Sequence, residues 1–322
     1  MKLSVIIPIY NQEKFLEECL NSILLSINYL YEVILIDDGS IDSSSKICKD
    51  YVHKNNKFKY FYYANQGVSS ARNNGLNVAK GDFVMFVDPD DIVNFSFLSE
   101  PYFFEDITFL NTTSIDDNNR QIIDISNFNN HEAIKFLINY KSKDLNLGNH
   151  CKSCWGKIYK MTIINNNKIN FDTNLVSGED FIFNIKYLLH TNSALFIDKV
   201  AYLYRINELS VTNNYIKNMT LNYQHIVDNL KSLLDNIYSN DKYLYEYILR
   251  TFYELIVNQY RYGYKDITKL YPYLYNNIKK STAIYYLFSY SNISKIICIT
   301  YIFLPKSFFL KFMRLIYLII KE

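Results

Sequence analysis

A chain of 322 residues, 49% of them hydrophobic, is long enough for roughly two domains and can bury a substantial core. Its formal net charge of +2 leaves no basic footprint for nucleic acid, and five cysteines without framework spacing exclude a disulfide scaffold and fit a reducing compartment. The 31 tyrosines beside only 8 glycines and 5 prolines fit AT-rich coding, so aromatic abundance identifies no function.

Leu3 to Ile9 reads as a buried strand, and Pro8 and Asn11 interrupt its apolar run before a secretory leader could form. That points to a protein that is not secreted. Beyond Tyr10-Asn11-Gln12, Phe15, Leu16, Cys19, Leu20, Ile23 and Leu24 recur at helical spacing. Tyr31 to Ile36 predicts a second strand, ending at Asp37-Asp38-Gly39-Ser40, after which Asp42 or Ser43 is placed to cap a short helix carrying Ile47 and Tyr51. Phe58 to Tyr63 predicts a third. Asn65-Gln66-Gly67 then opens a helix over Val68 to Ala79, stopped by Lys80-Gly81, and a fourth strand, Phe83 to Val87, follows at once. Four alternations predict a parallel α/β sheet with right-handed crossovers.

The fourth strand runs straight into Asp88-Pro89-Asp90-Asp91. A parallel strand delivers whatever follows it to the carboxyl edge of the sheet, where α/β proteins bind ligands. Asp88 and Asp90 are two apart, so they share a face in extended chain, and Pro89 stiffens the link. Hard oxygen ligands held that way suit Mg²⁺ or Mn²⁺, usually with a phosphate nearby; a solvated acidic turn is the plain alternative.

Past Asp91 the alternation stops. Ile107 to Thr112 and Gln121 to Ile125 predict two strands around a polar turn at Asp116 to Asn119, and His131 to Tyr140 predicts an amphipathic helix. Trp155-Gly156-Lys157-Ile158-Tyr159 comes next. Ser177-Gly178-Glu179-Asp180 precedes a helix striped with Phe181, Ile185, Leu188 and Leu189, and Ala194 to Arg205 predicts a strand with Ser210-Val211-Thr212 beyond it. From about Asn213 the character is helical. Ile296 to Leu304 and Ser307 to Ile320, split by Pro305-Lys306, are each shorter than the roughly 20 residues that span a bilayer. Lys306, Lys311, Arg314 and Lys321 among apolar residues suit helices lying on an anionic membrane surface, with packing on the protein itself or on a partner subunit as the alternative. Cys151 and Cys154 form a C-x-x-C with no second pair to complete a zinc site, and His131, His150, His190 and His225 have no ligand spacing.

Four stretches, Val5 to Asn11, Val33 to Ser40, Asn65 to Gly75 and Val87 to Asp91, together resemble inverting glycosyltransferase family 2, in that family's order and spacing. Trp155 to Tyr159, Gly178-Glu179-Asp180 and Tyr202-Leu203-Tyr204-Arg205 to Thr212 look like those of members that build bacterial capsules, lipopolysaccharide side chains and teichoic-acid sugars. The resemblance implies the GT-A nucleotide-diphospho-sugar transferase fold, a Rossmann-like, mostly parallel sheet flanked by helices. It implies a catalytic domain over 1–212, with a donor half at 1–95 and an acceptor and base half at 96–212, followed by a helical region at 213–322 that matches no motif. It further implies a nucleotide-diphosphate sugar donor, with uridine diphosphate preferred, a Mn²⁺ or Mg²⁺ ion, and a glycan or lipid-linked saccharide acceptor. The expected location is the inner face of the bacterial cytoplasmic membrane.

Roles carry over where residues match. Pro8, Tyr10, Asp38 and Arg72 resemble the wall of the nucleotide pocket, with Asp38 accepting from the base imide; Asp37 ranks below it as a capping residue. Asp88 would face the ribose and join Asp90 in holding the metal, and Asp91 would cap the next turn. Asp180 resembles the family's base and Glu179 a residue that orients acceptor or base, although Ser177-x-x-Asp180 also reads as a capping box. Arg205 would give a bidentate fork to the phosphates, or else be a surface cation. Ser210 and Thr212 suit phosphate, acceptor or a helix cap, and Trp155 suits a pyranose face or the core. The rival readings are a catalytically inactive nucleotide-sugar-binding or membrane scaffolding protein of the same fold, and a dinucleotide oxidoreductase that lacks its G-x-G-x-x-G.

Overall fold

The computed structural model describes residues 2–27, 30–99, 104–115, 133–134, 152–206, 219–238 and 308. Two compact units, 1–213 and 214–322, divide the chain. The first opens with β1 (Leu3–Ile9), α1 (Leu16–Leu24), β2 (Glu32–Asp37), α2 (Ser44–Lys54), β3 (Phe58–Tyr62), α3 (Val68–Val78) and β4 (Phe83–Phe86). These four strands lie parallel in the order β3-β2-β1-β4. Every residue of β1 and β2 is buried, which is why both read as continuous apolar runs rather than alternating ones.

The rest of the unit adds β5 (Ile92–Val93), β6 (Ile107–Ser114), β7 (Lys157–Lys160), α4 (Met161–Asn166), α5 (Glu179–Leu188) and β8 (Ala194–Tyr204). The complete sheet has eight strands in the order β3-β2-β1-β4-β7-β6-β8-β5. It is mixed. β7 runs antiparallel to both β4 and β6, β8 is parallel to β6, and β5 is antiparallel to β8. The carboxyl ends of β1, β2, β4, β6 and β8 therefore share one edge of the sheet with the amino end of β7. Tyr10, Asp38, Asp88, Trp155 and Arg205 all follow or precede strands at that edge.

One face of the sheet packs Leu3, Val5, Ile7, Val33, Leu35 and Met85 against Leu16, Leu20 and Ile23 of α1 and Cys48 and Tyr51 of α2. On the other face Phe86 meets Tyr159, Phe171 and Phe183 edge-on, and Phe171 stacks on Phe183 at 4.1 Å. Ring pairs of this kind contribute about 0.5–1.5 kcal/mol beyond area burial, and here they seat α5. α3 lies directly on β1, because a Cβ on Gly75 would sit well inside contact distance of Ile6 Cγ2. Glu32 lies inside the expected second strand and is buried there. It pairs with Lys59 and accepts from Ser4 Oγ at 2.7 Å and from the Lys80 amide at 2.6 Å, so a charged residue is tolerated at the foot of three strands.

The strand and helix expectations up to β4, and those for β6, α5 and β8, agree with the structure to within about two residues. The strand expected at Gln121 to Ile125, most of the helix at His131 to Tyr140, Ser210, Thr212, and Ile296 to Glu322 apart from Phe308 lie outside the described residues. Within the second unit, α6 (Met219–Tyr238) buries Ile226, Val227, Leu230 and Leu234 at helical spacing. Among the described residues no helix is long and apolar enough to cross a membrane.

Candidate functional site

Asp38 follows β2 with its carboxylate turned to the backbone: Oδ1 accepts from the Gln66 amide at 3.0 Å and Oδ2 from the Gly67 amide at 2.7 Å. It thereby holds the turn that starts α3. Asp37 braces the other side of the same junction, accepting from the Ser40 amide at 2.8 Å and from Tyr60 Oη at 2.7 Å. Pro8 is buried in β1, whereas Tyr10 just beyond it is exposed. Asp42, rather than Ser43, supplies the cap of α2 by accepting from the Ser44 amide at 2.9 Å.

The acidic turn after β4 is fastened on two sides. From α1, Cys19 Sγ donates to the Asp88 carbonyl at 3.7 Å and Ser22 Oγ accepts from the Val93 amide at 3.1 Å. From β8, Tyr202 Oη donates to Asp91 Oδ2 at 2.5 Å and accepts from the Asp88 amide at 3.1 Å, while the Arg205 amide donates to Asp91 Oδ1 at 2.8 Å. Asp91 is buried, and its expected role as a local cap gives way to a long-range one: it ties the turn to the end of β8, 114 residues on. Burial, with the Asp88 charge behind it, pushes the Asp91 carboxyl up to about 8.

Arg72 lies at the centre. It stands three and four residues before Gly75 and Leu76 on the stripe of α3 that packs against the sheet, and a cation there must find anions. It finds three. Nη2 is 3.2 Å from Asp88 Oδ1, and Nη1 is 3.0 Å from Glu179 Oε1 and 2.7 Å from Asp180 Oδ1. The guanidinium also lies over the Phe171 ring, 5.3 Å from its centroid. Burial opposes its charge, but Asp180 foremost, with Asp88 and Glu179, more than offsets that. Of the Arg72 nitrogens, Nε is buried without a hydrogen-bond partner among the described residues. Arg72 is thus enclosed among carboxylates, 4% exposed, instead of forming an open pocket wall.

Gly178, at φ 83°, turns the chain through the left-handed region, and α5 starts at Glu179. Gly178 holds the N-cap position and brings no side chain to cap the helix. Asp180 Oδ2 accepts from the Cys154 amide at 2.9 Å, and its two oxygens are aimed by β7's entry and by α3. Glu179 meets Arg72 through Oε1; burial and the Asp180 charge raise its carboxyl to about 7 against the pull of Arg72. Burial likewise raises Asp88 to about 6.

Trp155 is half-buried and stacks on Tyr202 at 5.0 Å and Tyr204 at 5.6 Å, so part of its ring surface is taken by protein. Arg205 lies over the Phe15 ring, with Nε donating to the Asp90 carbonyl at 3.0 Å and Nη2 to Glu18 Oε2 at 2.6 Å. Of the residues expected in the site, the structure brings Arg72, Asp88, Glu179 and Asp180 into direct contact and sets Asp90 beside Arg205. Asp38 stands apart at the end of β2. Tyr202, Asp91, Glu18 and the Cys154 amide are additions. Nothing in the sequence distinguishes Tyr202 among so many tyrosines, but a buried-stripe arginine is legible.

The Asp90 carboxylate makes no hydrogen bond or ion pair among the described residues, and Asp88 keeps Oδ2 outside its ion pair. Two hard oxygen donors at one strand exit fit Mg²⁺ or Mn²⁺. No group of three or more His, Cys, Asp or Glu among the described residues offers a full protein cage, so such an ion would need ligand oxygens from a phosphate or water.

The model of glycosyl transferase family 2 matches residues 4–163. Glycosyltransferase GlyA of Streptococcus pneumoniae serotype 4 (strain ATCC BAA-334 / TIGR4) is 30% identical over 222 residues, 66% of this chain and 31% of that protein. Poly(ribitol-phosphate) beta-N-acetylglucosaminyltransferase TarS of Staphylococcus aureus (strain MW2) is 31% identical over 212 residues, 63% of this chain and 35% of that protein. This chain therefore spans about a third of the length of these two relatives. The crystal structure of S. aureus TarS 1-349 in complex with UDP-GlcNAc shares the fold, with a TM-score of 0.68 at 23% identity, covering 92% of this chain and 89% of that one.

Proposed function

We propose that this chain, which belongs to glycosyl transferase family 2 through residues 4–163, moves a sugar from a uridine diphosphate donor to a hydroxyl of a surface glycan or lipid-linked saccharide, with inversion at the anomeric carbon. The observation that carries this is the single guanidinium of Arg72 holding Asp88, at the donor-side strand exit, beside Glu179 and Asp180 at the start of α5. A carboxylate so placed beside a donor site suits general-base work. The TarS relative, named for β-N-acetylglucosaminyl transfer, makes UDP-N-acetylglucosamine the first donor to test.

In this scheme Asp180 accepts the proton of the acceptor hydroxyl as that oxygen bonds to the anomeric carbon. The bond from that carbon to the diphosphate oxygen breaks, and the electron pair leaves with uridine diphosphate. Asp180 keeps its aim because the Cys154 amide and Arg72 each hold one of its oxygens. Glu179, held to Arg72 through Oε1, orients the acceptor. Asp90 and Asp88 would hold a Mn²⁺ or Mg²⁺, which when bound supplies Lewis-acid stabilisation of the leaving diphosphate. Arg205 can exchange the half-exposed Glu18 for a phosphate, since an exposed ion pair is worth only about 0–1 kcal/mol. Asp38 retains a second lone pair on each oxygen for a base imide. Pro8 and Tyr10 line that side, and Ser210 remains a candidate for the acceptor.

The proposed setting is the inner face of a bacterial cytoplasmic membrane, reached through residues after Ile293. The test is a screen of nucleotide sugars for donor hydrolysis and transfer with Mn²⁺ present and absent. Metal-stimulated turnover of a UDP sugar is expected; binding of a UDP sugar without turnover under any metal condition would favour the inactive binding protein instead.

A further inference from the structure

We propose that Tyr202 is a positioning residue which locks the Asp88-Pro89-Asp90 turn to the wall that carries the candidate base, so that filling the donor side is felt at Trp155. This rests on the nucleotide-sugar reading. Tyr202 is fully buried, and both functions of its hydroxyl are spent on the turn: donation to Asp91 Oδ2 and acceptance from the Asp88 amide. Its ring lies nearly coplanar with Trp155, 10° between planes. Trp155 in turn bridges to Phe86 at the end of β4 and follows Cys154, whose amide holds Asp180.

Two connections therefore run between Asp88 and Asp180. The ionic one passes through Arg72 and uses the carboxylates that substrate and metal would engage. The second passes through Tyr202, Trp155 and Cys154, and at the turn it grips a backbone amide and buried Asp91, neither of which a ligand needs to displace. The second connection persists when the first is loosened. A tyrosine serving the core alone would need only its ring, whereas this hydroxyl is committed to the turn that presents Asp88 and Asp90. Trp155 is the only tryptophan in the chain, so its emission reports on the stack.

The test titrates the full chain with UDP, with and without Mn²⁺, following Trp155 emission and, separately, heat of binding. Wild type is expected to change emission as UDP saturates. Tyr202→Phe keeps the ring and removes the hydroxyl: its ligand-free emission should match wild type while half-saturation by UDP rises up to about tenfold, the upper order expected for a lost buried hydrogen bond. Tyr202→Leu should shift the ligand-free emission as well, and Asp91→Asn should weaken UDP without that shift. Donor half-saturation in transfer assays should rise by a larger factor than kcat falls. Wild-type UDP affinity in Tyr202→Phe, or UDP binding by wild type without any change at Trp155, overturns the inference alone. A wild-type protein that fails to bind UDP removes the donor reading together with it.

Discussion

Nη1 of Arg72 is 2.7 Å from Oδ1 of Asp180, although 108 residues separate them in the chain. The same guanidinium holds Asp88 and Glu179, so removing it leaves three buried or half-buried carboxylates facing one another. Arg72→Met is expected to cost about 3–5 kcal/mol of stability, the scale for stranding a buried charge, and to abolish transfer. Arg72→Lys should recover part of the stability and little of the activity, because one ammonium does not reproduce a planar fork among three acids. Denaturant unfolding alongside a UDP-sugar transfer assay reads both.

Asp90→Ala and Asp180→Asn separate the two halves of the site. Each should reduce transfer by at least about a hundredfold, the contribution of a positioned acid or base. Only Asp90→Ala should weaken Mn²⁺-dependent donor binding, measured by calorimetry. Full activity in both variants would sink the site assignment.

Acidity supplies a third test. Asp88, Glu179 and Asp91 are raised to about 6, 7 and 8, so the folded protein binds more protons than the unfolded chain between the ordinary carboxylate range and about pH 8. Their contribution to stability is full below that range and is lost as pH rises through it. Glu32, held low by Lys59 and the Lys80 amide against the cost of burial, matters only in acid. Melting temperature should therefore fall between about pH 4 and pH 8, and Asp91→Asn should flatten the upper part of that slope. An unchanged slope in Asp91→Asn would contradict the assignment.

Gly75→Ala tests the seating of α3. The new methyl would collide with Ile6 Cγ2 in the centre of β1, so about 1–3 kcal/mol of destabilisation is expected from overpacking. Loss of soluble protein or a lowered unfolding midpoint would both register it.

The first four strands and their helices were legible because β1 and β2 are buried on both faces, β3 and β4 are short runs of strand formers, and the helices carry apolar stripes, patterns that need no tertiary context. The acids of the site were legible as strand and helix termini. What they do to one another was not: Arg72 reads in sequence as a cation in the wall of a nucleotide pocket, and only the folding of α5 across the sheet brings Glu179 and Asp180 to it. Asp91 reads as a local cap because its partners, Tyr202 and the Arg205 amide, are more than a hundred residues downstream. Trp155 could be placed neither in the core nor against a sugar until Tyr202 and Tyr204 were found beneath its ring.

The reversed direction of β7 has a practical consequence for redesign. Because β6 exits and β7 enters at the edge where Asp88 stands, the chain leaves the sheet at Ser114 and returns to it at Lys157 on the side of the candidate site. Ser114 and Lys152 are therefore the natural junctions for exchanging the intervening sequence with that of a relative.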